Sequence, residues 1–383
     1  MKTFRSLVAV VLAFTFILSI GACGMQGRMA GKMPVRATDD KINSIKLPPG
    51  FQLTVYADKL DNARSIALSP GGILYVGTRK DDKVYAVIDA DKNGAAEKHF
   101  TVIEKLKMPN GVALRDGALY VAELNRILKF PDIDQTYDKS PTPQIISTNF
   151  PSDEHHGWKF IRFGPDGKLY VPVGAPCNVC LSTNPMHAAI TRLNPDGSEH
   201  EVFAHGIRNT VGFDWHPQTK VLWFTENGRD EMGDEIPHDE LNHAPEKDLH
   251  FGFPYIHAKG IPDPEFKAPT DKKFQEPDLL LAPHTAALGM RFYTGTMFPE
   301  KYRGGVFIAE HGSWNRKTPI GYRVMFVKFE NDKPISYEVF AEGWLDGSFA
   351  WGRPVDVEIM PDGSLLVSDD KAGKIYRITY KAP

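Results

Sequence analysis

Polar residues recur at equivalent points along this chain: Arg64, Asn110, His156, Arg208 with Asn209, and Arg353. Each stands ahead of a short apolar-alternating run. Guanidinium groups keep their charge at neutral pH. Three of them aimed at one pocket repel unless an anion lies between them, so the pattern predicts an anion site. Histidine takes up a proton near neutrality, which suits a general base. The register favours His156 over the adjacent His155. Downstream, residues 225–242 gather carboxylates, asparagines and glycine-exposed carbonyls. Such hard oxygen donors suit Ca²⁺ better than zinc, and the plainer alternative is a solvated acidic loop. A second acidic stretch, Asp89 to Glu97, opens like a calcium loop. Phe100 stands where its bidentate glutamate belongs, and an Asn-Gly hairpin turn is the simpler expectation.

These residues need a scaffold, and the sequence repeats one. The unit is an apolar-alternating strand, a tight turn, and a second apolar strand. Copies run from Arg64 to Val76, Asn110 to Val121, Lys159 to Val171, Asn209 to Phe224, Met290 to Ile308 and Arg353 to Val367. Asp-Gly and Pro-Asp-Gly supply the turns, because glycine accepts positive φ without a Cβ clash. Arg64, Asn110, Lys159 and Asn209 fall 46, 49 and 50 residues apart. That is the spacing of four-stranded propeller blades, about 40–50 residues. Gaps of 81 and 63 residues follow, so the later blades carry insertions. The expected fold is all-β: a six-bladed β-propeller of four-stranded antiparallel blades over residues 46–383.

Hydrophobic residues at 42% and charged residues at 24% exclude a disordered chain and a polytopic membrane protein. A net charge of −3 gives no reason to expect nucleic-acid binding. No glycine-rich fingerprint opens a βαβ unit, which argues against a nicotinamide cofactor. Lys2 and Arg5 precede an uncharged apolar run from Leu7 to Ile20, too short to span a bilayer as a helix. Gly21-Ala22-Cys23 closes it. The segment resembles a bacterial lipobox, which implies a lipoprotein signal peptide over residues 1–22, lipidation of Cys23, a tether over 23–45 and a membrane-anchored periplasmic domain. Cys177 and Cys180 remain. Leu181 stands where c-type haem attachment needs histidine, and zinc would have to recruit His155, His156 or His187. In an oxidising compartment a local disulfide is the expected state.

From about Leu47 to Tyr380 the chain resembles the pyrroloquinoline quinone (PQQ)-dependent soluble aldose and sorbosone dehydrogenases. The resemblance rests on Leu-Pro-Pro-Gly-Phe51, His156 with Phe163-Gly-Pro-Asp-Gly-Lys-Leu-Tyr-Val171, Gly206-Ile-Arg-Asn209, Asp239-Glu-Leu-Asn242 with Phe251-Gly-Phe-Pro254, and Arg353-Pro-Val-Asp356. His156-Gly-Trp-Lys159 and Gly174-Ala-Pro-Cys-Asn-Val-Cys180 look most like the sorbosone branch. The resemblance implies His156 as catalytic base and Arg208, Asn209 and Arg353 on the quinone. Arg316 would replace a cofactor lysine, and Arg64 joins the same cationic ring. It also implies calcium on the main chain of Asn227, Gly228 and Arg229, backed by Asp239 and Glu240. Four positions depart from the family pattern: Ala175 where aspartate is common, Val355 where a second arginine is common, His155 before the base, and Arg64 for glutamine.

The implied reaction is oxidation of an aldose, a sorbosone-like aldehyde or a related sugar. His156 takes the hydroxyl proton as hydride passes to calcium-bound PQQ, and an unidentified periplasmic acceptor removes the electrons. Two other readings stand beside it: a calcium-dependent lactonase-like hydrolase, and a ligand-binding propeller without catalysis.

Overall fold

The computed structural model describes residues 39–382, so Cys23 and the signal segment lie outside the described residues. Among the described residues helix is confined to short turns, and six mainly antiparallel blade sheets follow one another along the chain, with two small two-stranded ribbons besides. The structure is a six-bladed β-propeller. Blade one spans residues 63–103, blade two 111–147, blade three 162–205, blade four 213–283 and blade five 287–342. Blade six takes three strands from residues 354–380 and its outer strand from Phe51–Ala57. Phe51 pairs with Tyr380 in that closing strand, which ties the start of the fold to its end.

Local chemistry sets the hairpins. Between Gly111–Arg115 and Ala118–Ala122 only Asp116 and Gly117 remain, and both adopt positive φ, 50° and 75°. That two-residue turn matches the twist of the strands it joins. Among the described residues six apolar clusters hold the blades together; five interleave two neighbouring blades, and the sixth joins blades three and four and also takes in Leu288 and Val355 of blades five and six. Tyr75 and Val84 of blade one pack with Val112 and Leu119 of blade two, while Leu366 and Ile375 of blade six meet Ile66 and Leu74 of blade one. The core is a ring of inter-blade interfaces, so no blade buries its faces alone.

Three details differ from the sequence expectation. Part of the presumed tether is folded: Ile42 and Ile45 pack on the blade five–six cluster, and Lys46 bridges to Glu342. Blade three gains a short parallel strand, Leu249–His250, from the insertion of blade four. Arg64 lies inside its strand, Ala63–Leu68, rather than ahead of it.

Candidate active site

The first two strands of a blade are antiparallel, so the residue entering the first sits beside the residue leaving the second. Ala63 pairs with Thr78, Ala287 with Glu310 and Pro354 with Asp369. Side chains flanking these pairs emerge together at one end of the propeller, around a cleft of about 210 Å³. Arg64, His156, Arg208, Asn209, Asn227, Gly228, Asp239 and Arg353 all line it. A larger cavity of about 550 Å³ lies beside the disulfide loop, and none of the predicted catalytic, cofactor or metal residues lines it.

His156 is half-buried in the cleft wall, with φ at 51°. Its Nδ1 lies 2.9 Å from the Ala175 carbonyl. A carbonyl only accepts, so Nδ1 carries the hydrogen and the Nε2 lone pair is left as the basic site. Desolvation, then the charges of Arg208 and His155, hold its pKa well below the ordinary histidine value. It is therefore neutral at pH 7 and able to accept a proton. Ala175 does this through its backbone: its N–H also donates to the Arg208 carbonyl at 2.8 Å. The departure from aspartate at that position leaves the anchoring of the base intact. His155 is exposed, with its ring against that of His156.

Gly174 packs directly behind the base. A Cβ there would stand 2.4 Å from His156 Cβ and 3.1 Å from Asn209 Oδ1. The His156 Cβ and the His156 carbonyl oxygen, 3.0 Å away, are tied to the backbone and cannot swing aside. Gly174→Ala therefore displaces His156 and lowers turnover at least ~10-fold while the protein still folds, because misplacing a catalytic group costs rate steeply. Steady-state kinetics beside a circular dichroism melt check this, and wild-type turnover would refute it.

Four guanidinium groups line the cleft, because Arg79 joins the three predicted arginines. Arg64 donates to Asn110 Oδ1 at 2.9 Å and to Asp370 at 3.1 Å, and burial lowers its pKa to about 10. Asn110 is buried and also donates to the Lys159 carbonyl, so it braces Arg64 rather than facing the cleft. Arg79 lies over the Trp158 ring, 4.9 Å from its centre, and its Nε is buried without a hydrogen-bond partner. Arg353 is held by the carbonyls of His311, at 2.8 Å, and Gly312, and has no ion pair among the described residues. His311 donates to Asp370 at 2.9 Å, and burial pushes its pKa down to about 3. An orphaned donor and an unpaired guanidinium at one mouth fit a polycarboxylate such as PQQ.

Arg208 is the most engaged arginine. Its Nη1 reaches the carbonyls of Asn227 at 3.3 Å and Gly228 at 2.9 Å, and its Nη2 pairs with Asp230 at 2.9 Å. These turn carbonyls are the ones expected to hold calcium. The oxygen set fits a hard cation, and here the guanidinium occupies it. Beneath the turn, Glu226 Oε2 is buried without a partner, and burial together with Glu240 raises its pKa well above the carboxylate range. Asp239 backs the turn by accepting from Gly228 N, Thr285 Oγ1 and Ala287 N.

Three candidates lie outside the cleft lining. The Arg229 side chain turns to Asp263 and Glu265, and Glu240 accepts from Asn242 and the Ala258 N–H. Arg316 corrects the sequence expectation: it pairs with Glu235 at 2.8 Å and with the Asp234 carbonyl, while its neighbours Trp314 and Asn315 reach the cleft instead. Cys177 and Cys180 are disulfide-bonded. The Asp89, Asp91 and Glu97 carboxylates converge, but they accept N–H groups of their own hairpin loop.

Residues 45–381 match the TrAA12-like family. An uncharacterized protein of Borreliella burgdorferi is 32% identical over 363 residues, covering 90% of this chain and 93% of that one. A pyrroloquinoline quinone-dependent pyranose dehydrogenase of Coprinopsis cinerea is 32% identical over 125 residues, covering 27% of this chain and 16% of that one. The solved holo form of the PQQ domain of the Coprinopsis cinerea pyranose dehydrogenase superposes with a TM-score of 0.72 at 20% identity, covering 88% of this chain and 97% of that one.

Proposed function

The chain belongs to the TrAA12-like family, and from that premise we propose that it is a quinoprotein sugar oxidoreductase with PQQ as its cofactor. The observation that carries this reading is a neutral histidine, Nε2 free, at the mouth of a cleft lined by four guanidinium groups. Arg79 and Arg353 have donors to spare for cofactor carboxylates, and Arg64 and Arg208 add charge beside them. PQQ, when bound, supplies the two-electron acceptor for a sugar carbon. His156 Nε2 takes the substrate's hydroxyl proton, and Ala175 keeps the ring in the tautomer that can do so. Calcium would be held by the Asn227 and Gly228 carbonyls, where it competes with Arg208, and would act there as a Lewis acid. The substrate class we favour is an aldose or sorbosone-like aldehyde.

A lactonase-like hydrolase would direct several carboxylates at one central ion. Here Asp239 is taken up by N–H and O–H donors, and Asp370 by His311 and two arginines. Titrating the protein with PQQ, with and without Ca²⁺, and then screening sugars by dye reduction tests the reading. A PQQ-dependent signal and dye reduction are expected. Lactone hydrolysis without either would replace it.

We further propose export and anchoring through lipidated Cys23, with electrons passing to a periplasmic acceptor. The small-small-Cys site after the apolar run supports this. Cys23→Ser is expected to move the protein from the membrane to the soluble periplasmic fraction. A wild-type protein already soluble there refutes the anchor.

A further inference from the structure

The disulfide loop does more than close a turn. Only Asn178 and Val179 separate the two bonded cysteines, so the ring leaves Asn178 little backbone freedom. The hydrogen bonds of Asn178 go to two residues of the cleft. Its carbonyl accepts from Arg208 Nε at 2.8 Å. Its side-chain Oδ1 accepts from Arg208 Nη2 at 2.9 Å and from the Asp230 N–H at 2.9 Å. Its Nδ2 donates to the Asp230 carbonyl at 3.2 Å. Asp230 closes the circuit by pairing with the same Nη2 at 2.9 Å. One residue thus reads the edge of the guanidinium, with its backbone carbonyl on Nε and its side-chain amide oxygen on Nη2, and its side-chain amide also holds the backbone of the aspartate whose carboxylate neutralises it.

This arrangement is directional. A guanidinium has five N–H donors in one rigid plane, so gripping Nε and Nη2 together sets the plane and leaves no rotation about the last side-chain bond. Arg208 Nη1 is thereby aimed at the Asn227 and Gly228 carbonyls. The same charge depresses the pKa of His156. A flexible surface loop could not hold such a register, whereas a ring of two intervening residues can.

We propose that Asn178, clamped in the Cys177–Cys180 ring, is a positioning residue that orients Arg208 for ligand binding in the cleft. The ligand in question is an anion carrying carboxylates, and its identification as PQQ rests on the functional reading above. Asn178 lines neither the cleft nor the reacting atoms, so its effect passes through Arg208.

The test uses the full-length chain and two readouts. The first needs no cofactor: the ¹⁵N-labelled arginine Nε–H signal of Arg208, identified by its loss in Arg208→Lys. It is expected to be slowly exchanging in the wild type and broadened or lost in Asn178→Ala and in the Cys177→Ala/Cys180→Ala pair, with the thermal melts little changed. An Arg208 signal unaltered in these variants overturns the proposal. The second is PQQ affinity. Asn178→Ala is expected to weaken it roughly 10–100-fold, the scale of losing hydrogen bonds to a charged group. The same change in an Arg208→Lys background is expected to cost little, because the residue acts through the arginine. Equal losses in both backgrounds, or no loss in either, overturn it. A wild type that binds no PQQ defeats the functional reading alone, since the Nε–H signal still decides the role of Asn178.

Discussion

His156→Ala is expected to lower sugar-dependent dye reduction ~10²–10⁴-fold, the usual worth of a positioned acid–base group. The fold is expected to survive, because the ring sits half-buried in the cleft wall and belongs to none of the apolar clusters. PQQ affinity is expected to hold within a few-fold, since the arginines carry the charge. His155→Ala costs far less, because His155 is exposed and meets His156 only by a ring contact and by its charge. The pH profile is set by the direction of the shift. Desolvation, Arg208 and His155 all disfavour the protonated form, so the base stays neutral below the ordinary histidine value. The acid limb of kcat/KM therefore falls below pH 6.5, and the rate is on its plateau by neutrality. Rates of both variants across pH, beside a PQQ titration, check the assignment. A His156 variant with near-normal turnover, or an acid limb above pH 7, would show that another group is the base.

The largest effect on stability is expected at Asp370. Its side chain is 3% exposed, beside Arg64 at 3% and His311 at 6%. It accepts from Arg64 at 3.1 Å and His311 at 2.9 Å, with Arg79 at 3.7 Å. Burial alone would raise its pKa, but His311, Arg64 and Arg79 pull it below the usual carboxylate range. Asp370→Ala strips the counter-charge from a buried guanidinium and removes the acceptor of a buried imidazole. Breaking such a pair from one side costs ~3–5 kcal/mol. Urea denaturation is expected to show a loss of that size, and Asp370→Asn, which keeps one acceptor, a smaller one. A loss under ~1 kcal/mol would mean that water reaches the cluster. Asp370 also shapes the charge at the mouth: without it, Arg64 and Arg79 face the cleft unneutralised.

Asp370 and Arg79 mark where sequence reasoning reached its limit. The repeats were legible because blade hairpins are local: apolar alternation, a glycine at positive φ and a spacing near 50 residues need no tertiary information. The blade count and antiparallel strands came with them. Arg64, His156, Arg208 and Arg353 were legible as a group because each lies in the stretch that leads into or opens a first strand: Arg64 is the second residue of its strand, Arg353 directly precedes Pro354, and Arg208 and His156 stand a few residues ahead of Phe213 and Arg162. Arg79, His311 and Asp370 come just after a second strand instead. The signal was present, since antiparallel pairing puts Thr78 beside Ala63 and Asp369 beside Pro354, and the residues just beyond those pairs must share the mouth. It required reading both strands of the hairpin at once. Val355 shows the converse: it stands where the family often has a second arginine, yet its side chain is buried, in an apolar cluster with residues of blades three and four.

Other features were decided only when distant segments met. Residues 51–57 complete blade six because their apolar face needs the strand at 374–380, more than 300 residues away. Arg316 resembles a cofactor residue by position, but Glu235 and the Asp234 carbonyl claim it from another blade's loop. The Asn227–Gly228 turn was recognisable as an oxygen-rich cation site. That a guanidinium sits on it, gripped by a disulfide loop some 30 residues earlier, depends on three segments converging. Residue type and local spacing determine which groups can carry charge or protons. Ring closure of the blades determines which of those groups face one another, and that sets their charge, their tautomer and their reach.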